Sequence, residues 1–185
     1  MKINNKSAAN TIRNNYYYYE LNDIQNKLLK CINENPGIRY RELLRSTCLS
    51  NGVLTYHLKI LEETRRINTI RQKKATRYYS IGIPTEELCI IAHLRIRIER
   101  AIIIFILEHD LCTFDEIVEY SKKAPSTISW YLRRLCEDSV ISIHYGEYQL
   151  YTIIDRKLVN QILYKYNETF TDKLVNNFID IADSL

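Results

Sequence analysis

Four glycines and three prolines are few for a sequence of 185 residues, and these residues are the ones that most often interrupt helices. Their scarcity predicts a helix-rich chain with short connections. Long apolar runs are also missing, because the longest, residues 101–107, is too short to span a bilayer. The first 20 residues lack the apolar stretch of a signal peptide. The sequence therefore predicts no membrane contact and a cytoplasmic location.

The five cysteines include no Cys-x-x-Cys pair and are odd in number, which argues against a disulfide framework or a zinc ribbon. Each lies in or beside an apolar helical pattern, so we expect reduced, mostly buried thiols. Cys48 precedes the third predicted helix; a redox-sensing role there is the alternative to a buried packing role, which we favour. We predict no metal site and no cofactor. The cysteines are Cys31, Cys48, Cys89, Cys112 and Cys136.

Catalytic patterns are missing too: no paired carboxylates, nucleophile arrangement or phosphate-binding loop stands out, so we do not expect an enzyme. Charge is distributed unevenly. Residues 1–85 hold 15 Lys and Arg against six Asp and Glu, whereas residues 86–185 hold 11 against 16. A basic front half is typical of a surface that binds phosphates.

An internal repeat organises the chain. At an offset of 74 residues about forty residues align without a gap, and the matches fall at apolar positions with helical spacing. They include Leu28 with Ile102, Leu54 with Ile128, and Leu58 with Leu132. Two copies of one small fold are the economical explanation.

Each copy predicts the same elements in the same order. In the first, a helix over 24–33 ends at Asn35-Pro36-Gly37, and a second helix covers 41–47. Ser50 or Asn51 caps a third helix over 51–64, and a hairpin with a basic tip follows, with strands over 67–71 and 75–81. Three helices and a hairpin are the order of a winged helix-turn-helix.

The second copy has its hairpin strands over 140–144 and 149–154 around Gly146. A helix that starts at Thr85 is expected to continue through Ile98 into this copy's first helix. We predict a mainly α fold with small β-hairpins (α+β). Its parts are a flexible arm (1–19), a first winged helix-turn-helix (20–84), a linker helix with a second winged helix-turn-helix (85–154), and a C-terminal amphipathic helix (155–185).

Residues 50–63, SNGVLTYHLKILEE, resemble the recognition-helix signature of ArsR-like winged helix-turn-helix transcription regulators. Residues 35–43 and Thr76-Arg77-Tyr78-Tyr79 are similar to archaeal members in particular, and residues 124–132, APSTISWYL, repeat the signature. The resemblance covers 22–154 and implies DNA binding. Two features depart from the family: Arg65 and Ser139 replace the glycine that usually ends this helix, which predicts differently shaped helix ends, and the Cys-x-Cys metal box is absent.

The first copy contains the predicted DNA-binding residues. With Leu54, Leu58 and Leu61 buried, the other face of the third helix is suited to a major groove. Arginines on and before the second helix are suited to the phosphate backbone, and the wing, residues 71–77, to the backbone or minor groove. The resemblance implies that His57 touches DNA near a phosphate; packing under the wing is the equal alternative. The predicted residues are Arg39, Arg41, Arg45, Ser50, Asn51, Thr55, Tyr56, His57, Lys59, Lys73, Lys74 and Arg77.

The second copy is the weaker candidate for DNA contact, because acidic residues precede its third helix and would repel phosphates. A packing or partner-binding role competes, and Trp130 fits either role. The acidic residues are Glu108, Asp110, Asp115, Glu116 and Glu119. The residues expected to contact DNA or a partner are Lys122, Lys123, Ser126, Thr127, Trp130, Arg133 and Arg134.

The C-terminal stretch has an apolar stripe that predicts a homodimer, with the first copies over half-sites in successive major grooves. Folding back onto its own second copy is the alternative. The stripe consists of Val159, Ile162, Tyr166, Phe170, Leu174, Phe178 and Ile181.

Taken together, the sequence predicts a sequence-specific double-stranded-DNA-binding transcription regulator that meets the transcription machinery at promoters. Two other classes stay open: an architectural or chromatin-type DNA-binding protein, and a winged-helix adaptor for protein interactions. Loss of sequence preference would distinguish the first alternative, and indifference to Lys59→Ala, Lys73→Ala and Lys74→Ala the second.

Overall fold

The computed structural model describes residues 21–72, 75–166 and 170, and it separates into two compact units, one up to Gly82 and one from Ile83. No helix within these residues is both long and apolar enough to cross a membrane. The first unit contains α1 (Asp23–Glu34), β1 (Ile38–Arg39), α2 (Tyr40–Thr47), α3 (Asn51–Glu63), β2 (Ile67–Gln72) and β3 (Ala75–Ser80). The second contains α4 (Thr85–Leu94), α5 (Arg97–His109), β4 (Cys112–Thr113), α6 (Phe114–Ser121), α7 (Pro125–Glu137), β5 (Ile141–Tyr145), β6 (Gln149–Ile153) and a helix α8 over 156–166.

These elements confirm a mainly helical fold with small antiparallel sheets. The predicted hairpins are present in both units, but nothing in the sequence pattern indicated a third strand. In the first unit β3 pairs with β2 on one side and β1 on the other, with Ile38 opposite Tyr78. In the second unit β6 is central in the same way, between β5 and β4. The extra strands have two residues each, too few to show an alternating pattern. The predicted domain boundaries stay predictions.

The apolar positions matched by the 74-residue offset form the core of each unit. Leu28, Leu54 and Leu61 in the first are fully buried, and so are Ile102, Ile128 and Leu135 in the second. The same is true of the match between Leu43 on α2 and Ile117 on α6. Because each helix buries one apolar stripe, its remaining face is left for polar residues.

The turn between α2 and α3 closes without glycine. Cys48 ends α2 in the left-handed conformation (φ 56°), with its N–H donating to the Leu44 carbonyl. Ser50 is the N-cap residue of α3, as predicted, although its side chain makes no capping hydrogen bond. The expectation of a buried Cys48 is wrong, because this residue lies at the outer end of the helix and its side chain is exposed. Only Cys112 of the five cysteines is fully buried.

The ends of α3 and α7 keep the left-handed shape that glycine usually provides, contrary to the expectation that its absence would change both ends. Arg65 and Ser139 adopt left-handed backbones (φ 54° and 55°). The N–H of Arg66 donates to the Leu61 carbonyl at 2.8 Å, and the N–H of Val140 donates to the Leu135 carbonyl at 2.9 Å. This is the hydrogen-bond pattern of a Schellman motif, which here forms with non-glycine residues.

The linker helix is interrupted, which corrects the predicted continuous helix from Thr85 through Ile98. Helix α4 ends at Leu94, and α5 begins at Arg97 after Ile96, whose extended backbone (φ −100°, ψ 113°) caps the new helix. The guanidinium of buried Arg100 donates to the Leu94 carbonyl at 2.7 Å and so provides a partner for a carbonyl at the buried end of α4. The apolar spacing continues across this break, so periodicity alone did not indicate it.

The described part of the C-terminal stretch packs within its own unit. Val159, Ile162 and Phe170 are buried, and Arg156 forms an ion pair with Asp110 at 2.7 Å. Lys165 reaches Glu87 at 3.4 Å. These contacts favour the fold-back alternative for this part of the stripe. Leu174, Phe178 and Ile181 lie outside the described residues, as does the predicted arm over 1–19.

Candidate nucleic-acid interface

One face of α3 is polar and open to solvent. Asn51, Thr55 and Lys59 follow one another at intervals of four residues, which places them in a row along the helix, and all three are exposed. Tyr56, beside this row, exposes 62% of its surface. Leu54, Leu58 and Leu61 are buried on the opposite side, so the helix is anchored by one face and presents the other. Ser50 is exposed at its start.

Tyr40, at the start of α2, fixes the beginning of this row. Its hydroxyl lies 3.0 Å from Thr55 Oγ1, and it donates to the Asn51 carbonyl at 3.1 Å. At the 74-residue offset Tyr40 corresponds to Phe114, which has no hydroxyl. The hydroxyl that Tyr40 has and Phe114 lacks was the feature of the sequence that could have indicated a polar contact at this position in the first unit.

Positive charge borders the same face. Arg39, Arg41 and Arg45, on and just before α2, are all exposed. Lys59 forms only an exposed ion pair with Glu63, at 3.7 Å. Such a pair contributes little to stability, so Lys59 can exchange Glu63 for a phosphate at low cost.

The wing presents fewer charges to solvent than predicted. Arg77 was expected to face a phosphate, but it is buried and donates to the Gly37 carbonyl at 2.9 Å. That bond connects β3 with the turn after α1, which explains why the charge is turned inward. Arg71 donates both guanidinium arms to Glu62 at 2.6 Å, and this bonding lowers the pKa of Glu62. Lys73 and Lys74 lie outside the described residues.

His57 is buried, with 8% of its surface exposed, which favours packing over the DNA contact implied by the resemblance. Its ring meets the edge of Tyr56 at a centroid distance of 5.1 Å. Nδ1 of His57 has no hydrogen-bond partner among the described residues. His57 thus contacts the exposed Tyr56 from the buried side of α3.

In the second unit the corresponding face is mixed in charge. Lys122, Lys123, Ser126 and Arg133 are all exposed, whereas Thr127 is partly buried. Arg134 was expected at the surface for DNA or a partner, but its guanidinium turns inward to donate to the buried Glu99 at 2.7 Å and lies 5.9 Å from the ring of Trp130. Trp130 remains 44% exposed. Of the other predicted contacts, Thr127 and Arg133 lie on α7 and Lys122 lies just before it. The acidic residues that precede all three in the sequence are Glu108, Asp110, Asp115, Glu116 and Glu119.

A second polar cluster, absent from the sequence predictions, lies around His93 on α4. Its Nδ1 is 2.7 Å from Glu99 Oε2 and its Nε2 is 2.9 Å from Asp138 Oδ2. Burial of the imidazole lowers the pKa of His93, but interactions with Cys89 and Glu99 outweigh this and raise the pKa to about 9.

Cys89, His93 and Asp138 have the donor types that a metal ion takes. The Cys89 and His93 spacing on one helix was visible in the sequence, but Asp138 is 45 residues further on.

Comparisons with known proteins agree with a helix-turn-helix architecture in the first unit. Residues 22–88 match a family model described as an N-terminal HTH domain. An "Uncharacterized HTH-type transcriptional regulator" of Methanocaldococcus jannaschii is 24% identical over 155 residues, which are 80% of this chain. The chain spans about a third (34%) of that relative's length.

Among solved structures, that of a cysteine-to-serine mutant of Lactococcus lactis ZitR in complex with DNA aligns with 74% of this chain and 84% of its own. Its sequence identity is 12% and its TM-score is 0.33, so this likeness carries no argument. The coarser prediction of a helix-turn-helix domain is supported by the family match.

Proposed function

We propose that this chain is a sequence-specific transcription regulator, not an enzyme, that binds double-stranded DNA through α3 of its first unit. The observation that carries the proposal is the exposed row of Asn51, Thr55 and Lys59, anchored from behind by three buried leucines. An α-helix fits the major groove of DNA, where amide and hydroxyl side chains distinguish base edges. The name of the archaeal relative agrees with this role.

In this proposal the polar side chains of α3 provide sequence specificity, and the exposed basic side chains provide affinity. Asn51, Thr55 and Tyr56 contact base edges, whereas Lys59 and the exposed Arg41 and Arg45 contact phosphates. Ser50 and Arg39 extend the two sets at the edge of the surface. The wing over 71–77, including Lys73 and Lys74, lies along the backbone or in the minor groove, while the buried His57 and Arg77 hold the surface in shape.

The finer organisation is part of the same proposal. The two units are tandem winged helix-turn-helix domains of ArsR-like type, and the chain works in the cytoplasm as a homodimer on two half-sites. The apolar positions Leu174, Phe178 and Ile181 support the dimer from sequence alone. The second unit contacts DNA weakly or binds a partner such as the transcription machinery, for which the exposed Trp130 is the best anchor.

Selection of binding sites from genomic DNA with the purified full chain tests this function. Fluorescence anisotropy then compares the selected duplex with a random duplex over a series of salt concentrations. We expect a preference of at least about a thousandfold and a steep loss of affinity with salt. Equal affinity for both duplexes would favour an architectural protein, and no binding to either would favour a protein-interaction adaptor.

The chain offers a closely matched control for Lys59. Lys59 and Glu63 form an exposed i, i+4 pair on α3, and Lys30 and Glu34 form an equally exposed i, i+4 pair on α1. Lys59→Ala should lower the slope of log affinity against log salt by about 0.9, the value for one lost phosphate contact. Lys30→Ala should leave the slope unchanged. Equal effects of the two variants would show that only net charge matters.

A further inference from the structure

We propose that Cys89, His93 and Asp138 form a metal site in the second unit that binds Zn²⁺. The site is independent of the proposed DNA-binding function, since none of its residues belongs to the first unit. Cys89 and His93 lie one turn apart on α4, and Asp138 is the residue that caps the end of α7. The possible ligand atoms of the three side chains all lie within 4.8 Å of one another.

The distances between these ligand atoms, with one at 2.9 Å and none above 4.8 Å, bracket the spacing that a tetrahedral zinc ion requires. Zinc bonds of about 2.0–2.3 Å to nitrogen, oxygen and sulfur place neighbouring ligand atoms about 3.3–3.6 Å apart. His93 Nε2 and Asp138 Oδ2 are 2.9 Å apart, so a small outward movement of the carboxylate makes room for the ion. Asp138 can make this movement because its side chain is 41% exposed, whereas His93 is almost completely buried.

The surroundings of His93 are those of a metal-binding histidine. Nδ1 donates to Glu99 Oε2 at 2.7 Å, which leaves Nε2 directed at Asp138. Glu99 is fully buried, and its other oxygen accepts from Arg134 at 2.7 Å. A carboxylate that holds the second nitrogen orients the imidazole and strengthens its bond to the metal. Glu99 and Arg134 are thus positioning residues and not ligands.

The thiol of Cys89 distinguishes this cluster from a simple charge network. His93 between two carboxylates would need no thiol, yet the Cys89 side chain lies within hydrogen-bonding reach of His93, and its Sγ is 4.0 Å from the Asp138 carbonyl. Zinc binding would use the sulfur directly, and the protons displaced from the thiol and from Nε2 would pass to solvent. Three protein ligands leave a fourth position for water on the side of the exposed Asp138.

The full-length protein, reduced and freed of metals with a chelator, provides the test. After incubation with Zn²⁺ we expect it to retain one equivalent through gel filtration, measured by mass spectrometry. With Co²⁺ as the probe, the intact chain should show the absorption band of sulfur-to-cobalt charge transfer. Absence of retained Zn²⁺ and of this band in the unaltered chain would overturn the proposal without any mutation.

Matched variants locate the site. Cys89→Ser and His93→Gln should each weaken Zn²⁺ binding at least about tenfold, and Cys89→Ser should abolish the cobalt band. Cys136→Ser, at another half-buried cysteine of the same unit, and His109→Gln should change neither. Glu99→Gln should weaken binding about 10–100-fold. Thermal unfolding without metal checks that each variant folds; Zn²⁺ bound as tightly by a folded Cys89→Ser variant would contradict the assignment.

Discussion

The first and second units place left-handed residues at the same two points of their backbones, Cys48 and Arg65 in one and Lys122 and Ser139 in the other. None of the four is glycine, so each conformation is maintained against a steric cost. The side chains at these points share no chemistry. The buried apolar stripes and the helix-end hydrogen bonds therefore stabilise the left-handed conformation at these turns, whichever side chain is present.

The polar surfaces of the two units show the opposite behaviour. At the 74-residue offset, Arg41 corresponds to Asp115 and Arg45 to Glu119, so the charge on α2 is reversed on α6. All four side chains are exposed. The two units thus share a fold, while the basic charge at these matched helix positions exists in the first unit only, which is why we propose DNA binding for that unit.

The largest effect should be the loss of stability when a residue of the apolar core, which the two units share, is truncated. Leu54→Ala and Ile128→Ala each remove a fully buried side chain at matched positions of α3 and α7. Each should lower the free energy of unfolding of its unit by about 2–5 kcal/mol. Denaturant unfolding, with amide hydrogen exchange in α1 and α5, measures the loss in each unit. Exposed Lys30→Ala is the control, expected to change it by less than about 0.5 kcal/mol. If only one of the two core variants lost little unfolding free energy, the matched positions would not be equivalent in the two cores.

The next effect separates the units by charge. Arg41→Ala with Arg45→Ala should weaken binding to the selected duplex about a hundredfold, if each lost charged contact contributes about 1.5 kcal/mol. The salt slope should fall by about 1.8 for two phosphates. Asp115→Ala with Glu119→Ala removes two exposed charges at the matched positions and should not weaken binding. Tighter binding by the acidic-pair variant would mean that the second unit also lies near DNA, and equal losses for the two pairs would contradict an effect of charge.

A smaller effect should follow from one hydroxyl. Tyr40→Phe gives the first unit the ring that Phe114 supplies in the second, and it removes the contacts to Asn51 and Thr55. We expect a loss of about 0.5–1.5 kcal/mol in stability and a reduced preference for the selected duplex over random DNA. Phe114→Tyr is the reciprocal control and should leave that preference unchanged. An unaltered preference in Tyr40→Phe would show that α3 needs no such support.

Prediction from sequence succeeded where spacing carries the information. The buried stripes, both hairpins and the helices other than the interrupted linker helix follow from apolar periodicity and turn residues, because burial imposes the period on the sequence. It failed where polar partners come from distant positions. Arg77 turned inward because Gly37 offers a carbonyl 40 residues away, and Arg134 because Glu99 lies beneath it. No local pattern distinguishes such an arginine from an exposed one. The cluster around His93 was missed in the sequence for the same reason, because Asp138 lies 45 residues from His93.

The smallest effect concerns the shared left-handed helix ends. Ser139→Gly removes a steric cost of about 1–2 kcal/mol, but glycine also gains about 0.4–1 kcal/mol of freedom in the unfolded chain, so the net gain in stability should lie between about 0 and 1.6 kcal/mol. Arg65→Gly should gain less, because it also removes a cation from the negative end of α3, which contributes about 0.3–1 kcal/mol. Thermal unfolding of both variants, with Arg65→Ala and Ser139→Ala as controls that retain the steric cost, measures the order. A larger gain at Arg65 than at Ser139 would mean that the positive charge of Arg65 destabilises the folded unit instead of stabilising the end of α3.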